Sequence, residues 1–281
     1  MALAIATNNA ALNAAASASS VNRDMETSMA RLSSGKRINS ASDDAAGVAI
    51  SSRLSAEIRG TDQAIRNSLD GQALIDTAEG AHKEIENILQ RMREVTIQAA
   101  NDTNNDQDRA NLQAEIEAMT TEIDRIAGTT TWAGADLMED ATTTFSFQVG
   151  AATGAKNQIS VSILTMNATG LGVCDGTDSV IDVDTSAATA NTGTGLIDAA
   201  IEKVNIQRSE LGAVSNRLNH TVNNLTNISS NLSAAKGGIE DADFALETTN
   251  LAKNQILQQA STAMLAQANA SKQNVLSLLQ G

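Results

Sequence analysis

The sequence predicts a mainly α protein: an elongated coiled-coil helical bundle built from paired N- and C-terminal segments, with a small β-hairpin insertion. Three observations predict it. Apolar residues recur at three- and four-residue spacing through most of both halves. No proline interrupts that spacing. A single stretch, 142–165, changes to a two-residue period.

Composition supports helix-on-helix contacts over a thick core. The 281 residues include three Phe, one Trp and no Tyr, and the hydrophobic 42% is carried largely by Ala, Ile, Leu and Val. So few aromatics bury little area per residue, and stability must come from long repetitive seams. The net charge of −14 argues against nucleic acid as a partner, because no basic field displaces counterions. Cys174 is the one cysteine, so neither an intrachain disulfide nor a cysteine zinc cluster is expected. Residues 1–22 carry no charged side chain, and the first cation is Arg23. A charge-free terminus of this kind calls for burial against another element or chain. It lacks the basic n-region of a Sec signal, and no run reaches the roughly 18 apolar residues of a membrane span.

In chain order, Leu12, Ala15, Ala18, Val21, Met25, Met29 and Leu32 form a narrow apolar stripe over residues 3–34, closer to a coiled-coil seam than to a broad globular face. The stripe stops at Gly35, followed by Lys36 and Arg37, as at a helix end with cations near the carbonyl terminus. Ser40-Ala41-Ser42-Asp43 fits a capping box, with Asp43 and Asp44 on the first turn of the next helix. By itself Arg31–Gly47 is an ordinary helix-turn-helix corner.

A long helical pattern then runs from about 44 to 100 through Ile50, Leu54, Ile58, Ile65 and Leu69 to Ile85, Ile88, Met92, Val95 and Ala99. If continuous, it spans about 80 Å. Gly47, Gly60, Gly71 and Gly80 interrupt it, each costing about 1 kcal/mol relative to Ala, so tertiary packing must hold it and the glycines point to close backbone approach. Asn101–Asp106 is a polar turn, and Leu112, Ile116, Met119, Ile123 and Ile126 make a second, antiparallel helix ended by Gly128. Phe145, Phe147 and Val149, then Ile159, Val161 and Ile163, alternate with polar residues about the Gly150–Gly154 turn and predict a β-hairpin. Residues 167–195 are rich in Gly, Asp, Thr and Ala and predict a short surface excursion. Heptads resume through Ile201, Val204, Leu211, Val214, Leu218, Val222, Leu225, Ile228 and Leu232, with a break at Lys236-Gly237-Gly238. The final arm carries Leu251, Ile256, Leu257, Met264, Leu265, Val275, Leu276, Leu278 and Leu279.

The predicted division is therefore 1–43, one half of an inner arm; 44–166, helical body with hairpin; 167–195, short outer loop; 196–238, the returning body helix; and 239–281, the other half of the arm. Seams left open at both ends predict that the terminal arms pair.

Catalytic chemistry is missing. His82 and Glu86 stand one turn apart, yet no third or fourth ligand clusters with them, so no metal site is expected. His220 lies on the polar side of its heptad, and Asp182 and Asp184 belong to a loop or short strand. Gly193 and Gly195 lack the third glycine and the preceding strand of a dinucleotide site, and no G-x-S-x-G, H-E-x-x-H or P-loop occurs. No cofactor and no enzymatic activity are expected.

With both ends in view, the chain resembles bacterial flagellin over about 1–165 and 195–281. Arg31-Leu32-Ser33-Ser34-Gly35, Arg37-Ile38-Asn39-Ser40 and Asp43-Asp44-Ala45-Ala46-Gly47 reproduce that family's N-terminal signature. Ile239-Glu240-Asp241-Ala242-Asp243-Phe244, Gln255–Ala260 and Gln273–Leu279 are similar to its C-terminal motifs, and Arg208–Val214 with Asn216-Arg217-Leu218 to its penultimate helix. The resemblance implies an extracellular filament subunit for motility, exported by the flagellar type III apparatus without signal cleavage. It implies self-polymerisation, contact with hook–filament junction and filament cap proteins, and an export chaperone on the C-terminal arm. Assembly-linker positions carried over are Arg31, Gly35, Arg37, Asn39, Ser40, Asp43 and Asp44; arm-packing positions are Leu12, Val21, Met25, Leu32, Leu251, Leu257, Leu265, Leu276 and Leu279. A surface read by a host Toll-like receptor maps to Arg91, Val95 and Glu115, with Val95 where Leu is common. Phe244 stands for the usual Tyr, Lys272 where Pro is frequent, Trp132 at the usual Phe, and Gly281 extends the end. Two other readings remain open: the hook–filament junction protein of the same superfamily, and a chemoreceptor-like signalling coiled coil, against which the hairpin speaks. Some flagellins carry a metallopeptidase insert, but 167–195 has no His.

Overall fold

Long uninterrupted periodicities become long helices. The computed structural model describes residues 7–139, 142–176 and 179–280, the last eight by backbone alone. The helices are α1 (Asn9–Ser34), α2 (Ala45–Ala99), α3 (Asp106–Thr129), α4 (Ala168–Leu171), α5 (Ala187–Glu240) and α6 (Phe244–Gln280). The strands are β1 (Thr131–Trp132), β2 (Ala135–Asp136), β3 (Thr143–Gln148) and β4 (Gln158–Ile163). The mainly α class with paired terminal segments and a small β insertion is the one the sequence predicts. Two compact units divide the chain: residues 1–58 with 230–281, and residues 59–229.

In the first unit α1 and α6 run antiparallel. Asn8 Nδ2 donates to the Ala268 carbonyl at 3.0 Å, Gln258 Nε2 to Asn22 Oδ1 at 2.8 Å, and Arg31 pairs with Glu247 at 2.9 Å. α1 ends as expected: Gly35 takes the left-handed conformation at φ 69°, which costs a residue without Cβ nothing. The start of α2 departs from expectation. Its cap is Asp44, whose Oδ1 accepts the Gly47 N–H at 2.9 Å, whereas Ser40 to Asp43 close a separate turn one step earlier. Lys236-Gly237-Gly238 does not break α5, which continues to Glu240; the interruption is Asp241–Asp243, and Asp243 Oδ1 caps α6 through the Ala245 and Leu246 amides.

In the second unit α3 and α5 both run antiparallel to α2, as the pairs Arg91–Glu115 (2.9 Å), Arg93–Asp198 (2.6 Å) and Arg208–Glu79 (2.8 Å) record. The α3 start has a full capping box between Asn105 and Asp108. Gly128 lies inside α3, whose end falls at Thr129. The core is a continuous apolar cluster including Ile85, Leu89, Met92, Ile116, Ile123, Val204, Leu211 and Leu218.

The predicted hairpin is β3–β4, in register from Thr143↔Ile163 to Gln148↔Gln158. Its seat on α2 explains two glycines. A Cβ at Gly71 would stand 3.1 Å from the Phe147 ring, and one at Gly60 2.9 Å from the Ala151 Cβ. Gly80 faces open space and does neither. A further two-strand hairpin, β1–β2, turns through Ala133 and Gly134, both at positive φ.

Residues 167–195 are not a surface excursion. Ala168, Leu171, Val173, Ile181 and Val183 are buried in the core, and α5 begins at Ala187. Neighbouring side chains hold this backbone: Asp124 Oδ1 accepts the Ala168 N–H at 2.7 Å and Gln113 Oε1 accepts that of Val183 at 3.0 Å. Gly193, inside α5, lies against Ile181, whose Cγ2 would be 2.8 Å from an added Cβ.

Candidate assembly surfaces

The corner that the sequence marks by its glycine and its charges is docked on the α5–α6 connection. The Arg37 N–H donates to the Glu240 carbonyl at 2.6 Å and the Ala242 N–H to the Gly35 carbonyl at 3.0 Å, a two-strand bridge centred on Lys36 and Asp241. Side chains reinforce it. The Arg37 guanidinium reaches the Ile239 carbonyl at 2.7 Å, and Lys36 pairs with Glu240 at 3.0 Å. Glu240 also accepts the Ser51 hydroxyl of α2, and these donors hold its carboxyl below the ordinary glutamate range, the Ser51 bond foremost. Asp43 Oδ2 gathers the Asn39 amide (3.0 Å), the Ser40 amide (2.8 Å) and the Ser40 hydroxyl (3.1 Å), so backbone hydrogen bonds lower its pKa. Ile38 is buried between these turns. Of the linker residues, Arg31, Gly35, Arg37 and Asp44 thus join helix ends or the opposite strand, while Asn39, Ser40 and Asp43 make the local turn. The clasp partner, Glu240, was within reach of sequence reasoning only as part of a C-terminal motif with no assigned contact.

The arm shows two faces. Ala11, Ala14, Ala18, Val21, Met25, Ser28 and Leu32 face α6 and are buried or half-buried; on α6 the matching positions are Glu247, Leu251, Asn254, Ser261 and Leu265. The seam therefore mixes small and polar residues with Val21, Met25, Leu32, Leu251 and Leu265. Leu12 and Leu257 are not in it. Leu12 is 60% exposed and Leu257 40%, because the tight approach of α1 to α6 turns large side chains outward. Met29, Phe244, Leu246, Ile256 and Met264 are exposed as well. The side chains of Leu276 and Leu279 lie outside the described residues. A groove of about 420 Å³ runs between the helices, lined by Ala10, Ala14, Ser17, Met264 and Ala268.

On the body, exposed Arg91 and half-buried Glu115 are bonded to each other at 2.9 Å. Val95 does not join them: it is fully buried beneath the α2–α3 contact, so it cannot belong to a surface of this chain. His82 is buried too, and Glu86 is engaged by Arg208. His220 is exposed. Among the described residues, no group of three or more His, Cys, Asp or Glu is placed to hold a metal, and no helix is long and apolar enough to cross a membrane.

Comparison with known proteins agrees with both ends of this arrangement. The family described as "Bacterial flagellin N-terminal helical region" matches residues 5–143, and "Bacterial flagellin C-terminal helical region" matches 194–279. The flagellin of Bacillus subtilis is 45% identical, covering 97% of this chain and 98% of its own. That of Halalkalibacterium halodurans is 46% identical over 91% of this chain and 92% of its own. Among solved structures, Bacillus cereus flagellin is 32% identical over 61% of this chain and 94% of that one, with a TM-score of 0.48. A Vibrio parahaemolyticus structure described as a flagellar hook-associated protein is 16% identical at a TM-score of 0.59, over 71% of this chain and 100% of that one, a likeness of fold alone. With sequence likeness running through both helical termini and nearly end to end, the chain belongs to the bacterial flagellin family.

Proposed function

We infer that this chain works by self-assembly, its two terminal helices being the parts that polymerise. It is a structural subunit of the bacterial flagellar filament, and not an enzyme. The observation that carries the reading of the arms is the set of large apolar side chains left outside the α1–α6 seam: Leu12, Met29, Phe244, Leu246, Ile256 and Met264 remain in water. So many exposed large apolar groups on one helical pair call for another surface to cover them. In a filament, other copies of this chain supply that surface.

On this reading residues 1–43 and 239–281 make the inner arm, 44–166 and 196–238 the body, and the clasp at Gly35–Arg37 with Glu240–Ala242 ties the two halves of the arm together. The subunit works outside the cell after type III export. The C-terminal arm, whose apolar face is open before assembly, is the segment an export chaperone would cover, and the finished filament meets cap and hook-junction proteins at its ends. A host Toll-like receptor would find Arg91 and Glu115 accessible, without Val95.

Deletion of 1–34 or of 245–281 is the test. Each truncated chain should keep the circular dichroism and cooperative unfolding of residues 59–229 and fail to elongate filament seeds. Normal filaments from either would overturn the assignment of the arms. Seed elongation by the intact chain separates a filament subunit from a junction protein, which would bind ends without propagating.

A further inference from the structure

The second unit holds a buried histidine beside a half-buried ion-pair bridge, and filament building uses neither. His82 on α2 has no exposed surface, and neither ring nitrogen has a hydrogen-bond partner. Glu79, His82 and Glu86 lie on one face of the helix at spacings of three and four. From α5, Arg208 reaches over that face, with its Nε 2.9 Å and a terminal nitrogen 2.8 Å from Glu79 Oε1, and its other terminal nitrogen on Glu86. Both carboxylates are thus occupied by the guanidinium. Ala78, Ile85 and Leu89 of α2 and Val204 and Leu211 of α5 surround the site with apolar groups, all of them fully buried.

We propose that His82 and the Glu79–Arg208–Glu86 bridge form an acid-triggered latch between α2 and α5, closed when the imidazole is neutral and forced open when it takes a proton.

The physical case is one of competing partners. An imidazolium needs two acceptors; neither ring nitrogen has one here, the nearby carboxylates are paired with Arg208, and that guanidinium repels a second positive charge. The charged groups that face His82 are Glu79 and Glu86 on its own helix and Arg208 on α5. On the other side of α2, Asp76, Glu84, Glu122 and Arg125 line an outward groove shared with α3. The strands β3 and β4 contain no charged residue. Burial accordingly pushes the His82 pKa down from 6.5 to about 4, Glu79 pulling it up and Arg208 pressing it further down.

The folded value is depressed, and the folded form is the neutral one. Above pH 6.5 the group is silent. As pH falls from 6.5 toward 4, the opened chain binds a proton that the closed unit refuses, so the opening equilibrium rises about tenfold per pH unit. Over the whole window the shift reaches about 300-fold. Below about 4 the closed form is protonated as well and the dependence on this group ends.

The test uses the full chain as monomer, so its result is independent of filament formation. Urea unfolding of residues 59–229 is followed at pH 7.5, 6.5, 5.5 and 4.5 for the parent, His82→Leu and His82→Met. From pH 6.5 to 4.5 the parent's folding constant should fall about 40-fold more than either variant's. Equal slopes would overturn the proposal. Imidazole titration by NMR decides independently of whether the variants fold, since the chain has two histidines and a His220→Gln variant leaves one signal. His82 staying neutral in the folded chain down to about pH 5 supports the latch; protonation at the ordinary value near 6.5, with the fold intact, refutes it.

Discussion

Replacing Glu240 by alanine should release the clasp between the two connections of the first unit and leave the second unit unchanged. The carboxylate accepts the hydroxyl of Ser51, a residue only 5% exposed; a hydrogen bond to a charged partner in such a site is worth about 1.5–3 kcal/mol. Its pairing with Lys36 at 3.0 Å adds about 0.2–1 kcal/mol, Lys36 being well exposed, and Lys236 at 3.9 Å adds next to nothing. The loss is about 2–4 kcal/mol, or about 30- to 700-fold in the local opening equilibrium at 1.4 kcal/mol per decade. Two backbone amides report it directly: Arg37, bonded to the Glu240 carbonyl, and Ala242, bonded to the Gly35 carbonyl. Under conditions where exchange follows the opening equilibrium, hydrogen exchange at both should accelerate by that factor, while amides across Ile85–Val95 stay at the parental rate. Glu240→Gln, which keeps an acceptor for Ser51 but not the charge, should fall between the two. Parental exchange at Arg37 and Ala242 in Glu240→Ala would refute the assignment of the clasp to this side chain.

Two further perturbations probe the corner and the hairpin seat. Ser40→Pro removes the amide that Asp43 holds at 2.8 Å and drives Asn39 toward extended backbone; seed elongation should fail while the unfolding midpoint of residues 59–229 is unchanged, and normal filaments by electron microscopy would count against the corner. Gly71→Val pushes a branched side chain into the Phe147 ring, already 3.1 Å from an added Cβ, and should cost about 1–3 kcal/mol by overpacking. Gly80→Ala meets nothing and should stabilise by about 0.8–1 kcal/mol, so urea midpoints moving in the same direction for both would refute the docking role of Gly71.

Periodicity carries a long way in a chain without proline. The bounds of α2 and α3, the register face of β3–β4 and the αL glycine after α1 are all legible, because each depends on residues a few positions apart. Tertiary partners decide the rest. Gly237 and Gly238 stay helical because Glu240, one turn on, is held by Ser51 and Lys36, contacts supplied by residues about 190 and 200 positions away. Residues 167–183 show no period, since Ala168, Leu171, Val173, Ile181 and Val183 are buried one by one against helices rather than along a repeating face. The capping box expected at Ser40–Asp43 forms a turn of its own, and Asp44 caps α2 instead, because only its carboxylate reaches the Gly47 amide.

The arm is the most instructive case, because the correct answer was present in the spacing. A strict three-four repeat runs through Ala11, Ala14, Ala18, Val21, Met25, Ser28 and Leu32, and these positions face α6. A reading weighted by side-chain size takes Leu12 in place of Ala11 and Met29 in place of Ser28, and counting on from Leu12 takes Ala15 in place of Ala14, which mixes two faces into one stripe. Val95 is placed at a surface by the family resemblance alone, although the repeat from Ile85 through Ile88, Met92 and Val95 to Ala99 already assigns it to the core. Size and spacing disagree where a helix has two partners. On α1 the face that meets α6 sets Ala11, Ala14, Ala18 and Ser28 among Val21, Met25 and Leu32, and Leu12 and Met29 are left for a partner outside the chain. That disagreement is itself the sequence signature of a helix built for assembly.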